Sequence, residues 1–352
     1  MKREPLVVSV LERISHHASG SGADGFVRHT DNLLVDPHKP SGWLRSLVPA
    51  SVSLAAAQAT GKAFYEPLHF LSECEAQVHM LKTENAVVHF HNGDNNFFYC
   101  GRAGKRNGKL IATYHQPPWR LEATMAYRSH LRRLDRVVMV GTKQAVFFRR
   151  YMDESKLVHI PLGVDARTFS PSYRKRNGKH FVVVGQHLRD VPLLYDVLAA
   201  ARRRWEGVHF TWVVPQHVQS LPEVPGLEIR RSLRDSELLE LYRGAAAVLL
   251  PLAEATANCA LLEAMACASP VVVTDVGSIR DYVDDETAYV TQVSWRSETK
   301  AQRFMEGLEA VMERPDEAVA KGRAARERVL ARFDLPVIAR QYQQLYRHVA
   351  GL

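Results

Sequence analysis

Cysteine is scarce in this chain. Its 352 residues include only four, Cys74, Cys100, Cys259 and Cys267, and no two form a C-x-x-C pair. That excludes a disulfide framework and a zinc-finger grouping, and the four read as small buried hydrophobes of a reducing compartment. Long apolar runs are also missing. The opening MKREPLVVSVLERISHH is broken by Glu12 and Arg13, too early for a signal segment, and no later stretch would span a bilayer. The expectation is a cytoplasmic protein. No tandem repeat or low-complexity tract stands out. The Gly-rich Ser19–Gly25 segment, SGSGADG, has neither a complete phosphate loop nor the usual dinucleotide glycine spacing, which disfavours nucleotide-triphosphate and nicotinamide enzymes.

What is present is a large apolar fraction, 46%, enough for two domains of common size. The net charge of +8 is unevenly placed: residues 1–160 carry +7 and the remainder +1. Two basic clusters stand out in the first half, Arg102, Lys105, Arg106 and Lys109, then Arg128, Arg132, Arg133 and Arg136. The second has helical spacing, which would stack charge on one side. Such a face suits anionic lipid at an inner membrane surface, and a solvated helix face explains it equally well. Nucleic acid is disfavoured, because no aromatic platform accompanies the charge.

Short β-branched runs alternate with helical patterns along the chain, which predicts an α/β protein with parallel, doubly wound sheets. Strands are expected at Leu6–Val10, Ala86–Phe90, Lys109–Tyr114 and Arg136–Val140, then at His180–Val184, Val208–Val214, Leu227–Arg230, Ala247–Leu250 and Pro270–Thr274. Helices are expected at Leu68–Thr83, Trp119–Leu134, Leu193–Arg204, Ser236–Arg243, Ala260–Cys267, Ala301–Glu313 and Pro336–Val349. Pro161, Gly163, Pro171 and Gly178 punctuate a polar hinge. Domains are accordingly placed at 1–165 and 166–335, with a terminal helix at 336–352 packing back toward the first. Residues 36–67, rich in proline and glycine, read as a long loop, a disordered segment or a helix with an obscured pattern.

Two segments narrow the class. KLVHIPLGVDARTFSP at 156–171 and ATANCALLEAMACASPVVVTDVGSIRDYV at 255–283 resemble the interdomain passage and the donor-binding segment of glycosyltransferase family 4, the group 1 glycosyltransferases. The resemblance implies GT-B architecture, with two Rossmann-like domains facing each other across a cleft. It further implies a nucleotide-sugar substrate, UDP- or GDP-linked, and no cofactor. The donor would be bound by the 166–335 domain and the acceptor by the 1–165 domain.

The residues support this at the second segment. Thr256 or Asn258 can cap the helix before ALLEAMA, leaving amides near Asn258, Cys259 and Ala260 for a diphosphate. Glu263, inside an apolar run, needs a partner, and the resemblance assigns it the ribose hydroxyls. The chain also departs from the family. The family's first glutamate, eight positions before Glu263, falls on Ala255, with Glu254 one place earlier. Either Glu254 reaches in through a bulge, or Thr256 and Asn258 replace it, or sugar choice differs. The family's Arg and Lys after the first strand of this domain correspond to Gln186 and Val191. Arg189, in the loop beginning Gly185-Gln186, is the candidate replacement for gripping phosphate. An ion pair with Asp190 is its alternative role. Gly20 and Gly22 would pass beside the diphosphate.

In the first half, His89 and His91 share a strand face, followed by Asn92, Gly93 and Asp94. Acceptor binding, hydrogen bonding within the core or metal binding are open to these histidines, though no third ligand is evident and no metal is expected. His115, at the end of Lys109–Tyr114 and before Pro117, matches the family's histidine beside the transferred sugar. A core histidine is the alternative. His91, Asp94 and Trp119 are candidate acceptor contacts, and His115 and Glu254 candidate catalytic residues. The resulting expectation is a retaining, metal-independent glycosyltransferase acting on a glycan, lipid-linked or small-molecule acceptor, with peripheral membrane contact. Rival readings are a non-catalytic transferase-like binding subunit and a GT-B epimerase or phosphorylase.

Overall fold

The computed structural model describes residues 4–12, 21–22, 25–172, 175–218, 221–292 and 296–352. The chain divides into two compact units. Met1–Ile14, Phe26–Pro161 and Pro336–Leu352 form the first, and Ser15–Gly25 with Leu162–Leu335 the second. Each is built on a six-stranded parallel sheet, the α/β class that the alternating pattern predicts.

The first sheet contains β1 (Val7–Val10), β2 (Leu33–Val35), β3 (Val87–Phe90), β4 (Lys109–Tyr114), β5 (Arg136–Met139) and β6 (Leu157–His159), in the order β2-β1-β3-β4-β5-β6. The second contains β7 (Asn177–Val184), β8 (His209–Val214), β9 (Leu227–Arg231), β10 (Ala245–Leu250), β11 (Val271–Asp275) and β12 (Tyr289–Gln292), in the order β12-β11-β10-β7-β8-β9. Central strands such as β3 and β10 are buried at every residue, which is why they read as unbroken apolar runs. Winding reverses between β1 and β3 in one sheet and between β7 and β10 in the other. At such switch points the loops leaving the C-terminal strand ends diverge, and ligands of doubly wound sheets bind there.

Helices cover the sheets by burying apolar stripes. Val191–Arg204 starts with Asp190, whose side chain accepts the Leu193 amide at 3.1 Å. It buries Leu193, Leu194, Val197, Leu198 and Ala201, the larger of these worth roughly 1.5–3 kcal/mol apiece. The terminal helix Leu335–Ala350 brings Tyr342 and Tyr346 into the first unit, 3% and 2% exposed. Tyr342 stacks on Phe26 at 4.0 Å, and the Tyr346 hydroxyl hydrogen-bonds His89 Nδ1 at 2.8 Å.

The structure corrects several sequence expectations. Strands β2, β6 and β12 lie outside the predicted set; all three are short, partly exposed sheet edges, so they lack the apolar run of a central strand. For residues 36–67, where loop, disorder and an obscured helix were all open, two helices form, Gly42–Leu47 and Ala50–Ala59. The helix expected over Trp119–Leu134 is broken into Pro118–Thr124 and a 3-10 turn at Ser129–Arg133. The cause is tertiary: Ala63 and Ala126 donate backbone bonds to Thr124 and Gly61, drawing the chain out of helix. The arginine stack expected from Arg128 to Arg136 therefore does not form. Arg128 pairs with Glu122 at 2.7 Å, Arg133 donates to the Phe98 and Cys100 carbonyls, and Arg136 begins β5. All four cysteines are free thiols; Cys100 and Cys267 are buried, Cys74 and Cys259 half-buried.

Candidate active site

At the switch point of the second sheet, the loops after β7 and β10 are stitched together. Asp190 N donates to the Pro251 carbonyl at 2.8 Å and Ala253 N to that of Leu188 at 2.9 Å. Gly185 turns the chain at φ +79°, and a Cβ there would lie 3.4 Å from the Arg189 guanidinium. Positive φ favours glycine at this position. The turn folds Arg189 back beneath the strand end, 9% exposed, donating to the carbonyls of Val184 and His187. Its Nε has no partner among the described residues. Burial pushes its guanidinium down to about 10, with Tyr242 and Cys259 in electrostatic reach. Asp190 is not its partner: that carboxylate caps Val191–Arg204 and pairs with Lys300. Among the described residues, Arg189 is a buried cation without a carboxylate partner, an arrangement that is costly unless an anion completes it. Gln186 adjoins it, its carbonyl accepting the Arg189 amide at 3.1 Å.

The segment after β10 supplies the other groups. Asn258, not Thr256, caps the helix Cys259–Ala266, its side chain accepting the Leu261 amide at 3.0 Å. Cys259 and Ala260 form the first turn, where the helix dipole adds partial positive charge. Thr256 is 4% exposed and its hydroxyl has no partner among the described residues. Glu254 curls so that its carboxylate accepts the Ala255 amide at 2.9 Å. Gly277, φ +52°, presses on this bend: a Cβ there would fall 1.8 Å from the Ala255 carbonyl oxygen. Glu263 is 4% exposed, and burial pushes its carboxyl up. It accepts the hydroxyls of Ser21 and of Tyr242, the latter at 2.6 Å. Sequence reasoning foresaw that Glu263 needs partners but not which, since Ser21 and Tyr242 are far from it in the chain. Gly22 follows Ser21 with φ 108°. Gly20 lies outside the described residues.

In the first unit the corresponding edge carries the histidines. His115 follows β4, its backbone amide donating to Asp94 at 2.7 Å and its Nε2 to the His91 carbonyl at 2.7 Å. A bond to a carbonyl fixes the proton on Nε2 and leaves Nδ1 as the ring's acceptor in the neutral form. Asp94 also accepts the Gln116 amide at 3.2 Å, so this 7%-exposed carboxylate orients the loop that presents His115. Beneath Asp94, the buried Lys62 ammonium, pushed down to about 8 chiefly by burial, donates to the Gly93 and Phe97 carbonyls. His91 and His89 are buried and in ring contact at 3.8 Å. His91 bonds Ser9, and His89 bonds Thr113 and Tyr346. Burial drives both below the usual range, His91 to about 3. Both ring nitrogens of His89 and Nε2 of His91 are thus committed within the core. Trp119, in the first turn of Pro118–Thr124, is 53% exposed.

Residues 143–313 match the family described as glycosyl transferases, group 1. This match takes in just under half of the chain and gives that segment its likeness to the group 1 glycosyltransferases. Among curated relatives, this transferase is 25% identical to the phosphatidyl-myo-inositol mannosyltransferase of Mycobacterium tuberculosis over 264 residues, covering 69% of this chain and 68% of that one. It is 26% identical to the alpha-maltose-1-phosphate synthase of the same organism, covering 88% and 93%. The transferase fold is also that of sucrose-phosphate synthase from Thermosynechococcus elongatus (TM-score 0.68, 15% identity, covering 98% and 99%). Anabaena HepE, solved with UDP and glucose, is similar in fold as well (TM-score 0.66, 13% identity, covering 98% and 100%). These structural likenesses establish the GT-B class.

Proposed function

We propose that this glycosyltransferase takes its sugar from a UDP- or GDP-sugar bound at the second unit's switch point. It passes the sugar to a hydroxyl of a glycan, lipid-linked or small-molecule acceptor bound by the first unit. The observation that carries the donor assignment is the buried, carboxylate-free Arg189 beside the start of Cys259–Ala266. A guanidinium and a helix N-terminus are complementary to a diphosphate. HepE, with UDP and glucose bound, supports a nucleotide-sugar donor. Gly185, Gln186 and Gly22 border the diphosphate, Thr256 supplies a hydroxyl to the sugar, and Glu263 exchanges its Ser21 or Tyr242 bond for the ribose. Glu254 serves the transferred sugar with its remaining oxygen.

His115 is assigned the reacting sugar, where its fixed tautomer would orient hydroxyls and steady positive charge as the leaving phosphate departs. Retention of anomeric configuration and independence from a catalytic metal follow the family resemblance. Attachment to a membrane-held acceptor is supported by Trp43, Leu47, Leu54, Phe64, Trp119 and Tyr127, all large apolar side chains exposed in the first unit. Arg120 lies over the Phe64 ring at 5.7 Å. No helix among the described residues is long and apolar enough to cross a membrane. Calorimetric titration with a panel of UDP-, GDP- and ADP-sugars tests the reading, with Glu263→Ala as control. One nucleotide class should bind at micromolar concentration and the variant more weakly. Absence of binding by every donor would overturn the proposal.

A further inference from the structure

Three segments of the first unit bring Glu12, His38 and His69 together. Glu12 follows β1, His38 follows β2, and His69 lies in the first turn of the helix Pro67–Lys82. One ligand atom from each falls within 4.8 Å of the other two. His38 Nε2 meets Glu12 Oε1 at 3.0 Å, and the two imidazole rings are 5.7 Å apart. His69 is 2% exposed, yet among the described residues its Nε2 has no hydrogen-bond partner, and Glu12 Oε2 is likewise buried and unpaired. Two orphaned polar atoms in one cluster are rare in a folded protein and require an occupant.

We propose that Glu12, His38 and His69 form a binding site for a zinc-like transition-metal cation in the first unit. Two imidazoles and one carboxylate suit zinc or cobalt(II), with a fourth position left for water, and do not suit magnesium or calcium, which take oxygen ligands. His69 is the rigid arm because burial and helix packing fix it. His38, with its side chain 40% exposed, is the mobile arm and leaves a path for entry.

Two features limit affinity. His69 Nδ1 accepts the Glu66 amide at 2.9 Å, so coordination through Nε2 transfers the ring proton to Nδ1 and sacrifices that bond. The Lys62 ammonium also acts on His69 and repels a second cation, whereas the Glu12 carboxylate attracts one. A metal site that begins with these penalties binds more weakly than a structural zinc finger.

The test is metal binding, independent of sugar transfer. The full chain, stripped with a chelator, is titrated with cobalt(II) by visible absorbance and with zinc by calorimetry, beside Glu12→Gln and His38→Ala. The expectation is one site at micromolar metal, weakened about 100-fold or more in each variant, since loss of even an outer-sphere partner costs about 10- to 100-fold. Unchanged thermal melting of the metal-free variants guards against misfolding, and His69→Gln provides a third arm through the buried ligand. Failure to bind either metal would assign the orphaned atoms to a bridging water and overturn the proposal. Binding that persists in both Glu12→Gln and His38→Ala would place the metal elsewhere and also overturn it.

Discussion

Replacing Arg189 with methionine should remove most nucleotide affinity while leaving the fold about as stable as before. Its guanidinium is held down from 12.5 to about 10 by burial. At about 1.4 kcal/mol per pH unit, this places a burden of about 3 kcal/mol on the charged form, which persists at neutral pH because arginine does not deprotonate there. Opposing the burden are its bonds to the Val184 and His187 carbonyls, of about 1.5–3 kcal/mol each when charge-assisted. Methionine has a similar reach and removes burden and bonds together. The unfolding free energy should therefore move by no more than about 2–3 kcal/mol. A diphosphate would lose about 1.5–3 kcal/mol for each guanidinium bond, or roughly 10- to 150-fold in affinity per bond. Calorimetric titration with UDP and GDP, paired with urea denaturation of the same samples, reads both quantities. A methionine variant that binds nucleotide like the parent refutes the reasoning. So does one whose lost binding is accounted for by a collapsed unfolding midpoint.

Three further outcomes follow from the geometry. Tyr242→Phe strips Glu263 of one of its two hydroxyl donors, which should cost about 1–3 kcal/mol in urea denaturation and raise the KM for donor more than it lowers kcat. Gly277→Ala would set a Cβ 1.8 Å from the Ala255 oxygen at φ +52°; a loss of roughly 2–3 kcal/mol or more is expected, whereas Gly178→Ala, with nothing within 4 Å, should be nearly silent by the same assay. His91 titrates at about 3 in the folded chain against 6.5 ordinarily, so the unfolded chain binds more protons between those values. Its stabilisation is complete above 6.5 and lost as pH falls toward 3, at most about 5 kcal/mol; His91→Gln should flatten the stability slope across that interval, measured by denaturation at stepped pH.

The central strands were legible because burial on both faces demands unbroken apolar runs, as in β3 and β10. Edge strands β2, β6 and β12 answer to a neighbour on one side only, and three or four partly exposed residues carry no such signature. The break after Thr124 was illegible for a different reason: it depends on backbone bonds to Gly61 and Ala63, some sixty residues earlier in the chain. Within the candidate site, an acidic residue inside an apolar helix announced that Glu263 was special. Its partners Ser21 and Tyr242 could not be inferred, because hydroxyls at unrelated positions give no periodic signal. Asn258 and Thr256 were both credible caps; backbone geometry selected Asn258 and left the Thr256 hydroxyl uncommitted. Lys62 and Glu73 escaped notice altogether. Each looks like an ordinary surface charge in sequence, yet Glu73 accepts the amides of Phe98, Tyr99 and Cys100.

The placement of Pro336–Leu352 in the first unit has a consequence for synthesis. A ribosome delivers β1 through β6 early, but the aromatic rings that cover Phe26 and His89 arrive only after the whole of Leu162–Leu335 has been made. At roughly 5–20 residues per second that interval lasts about 10–35 seconds. During it the second unit can close on its own contacts while the first keeps an apolar seam open to solvent and to chaperones. The final helix raises the contact order of the first unit, which can be completed only once that helix is made.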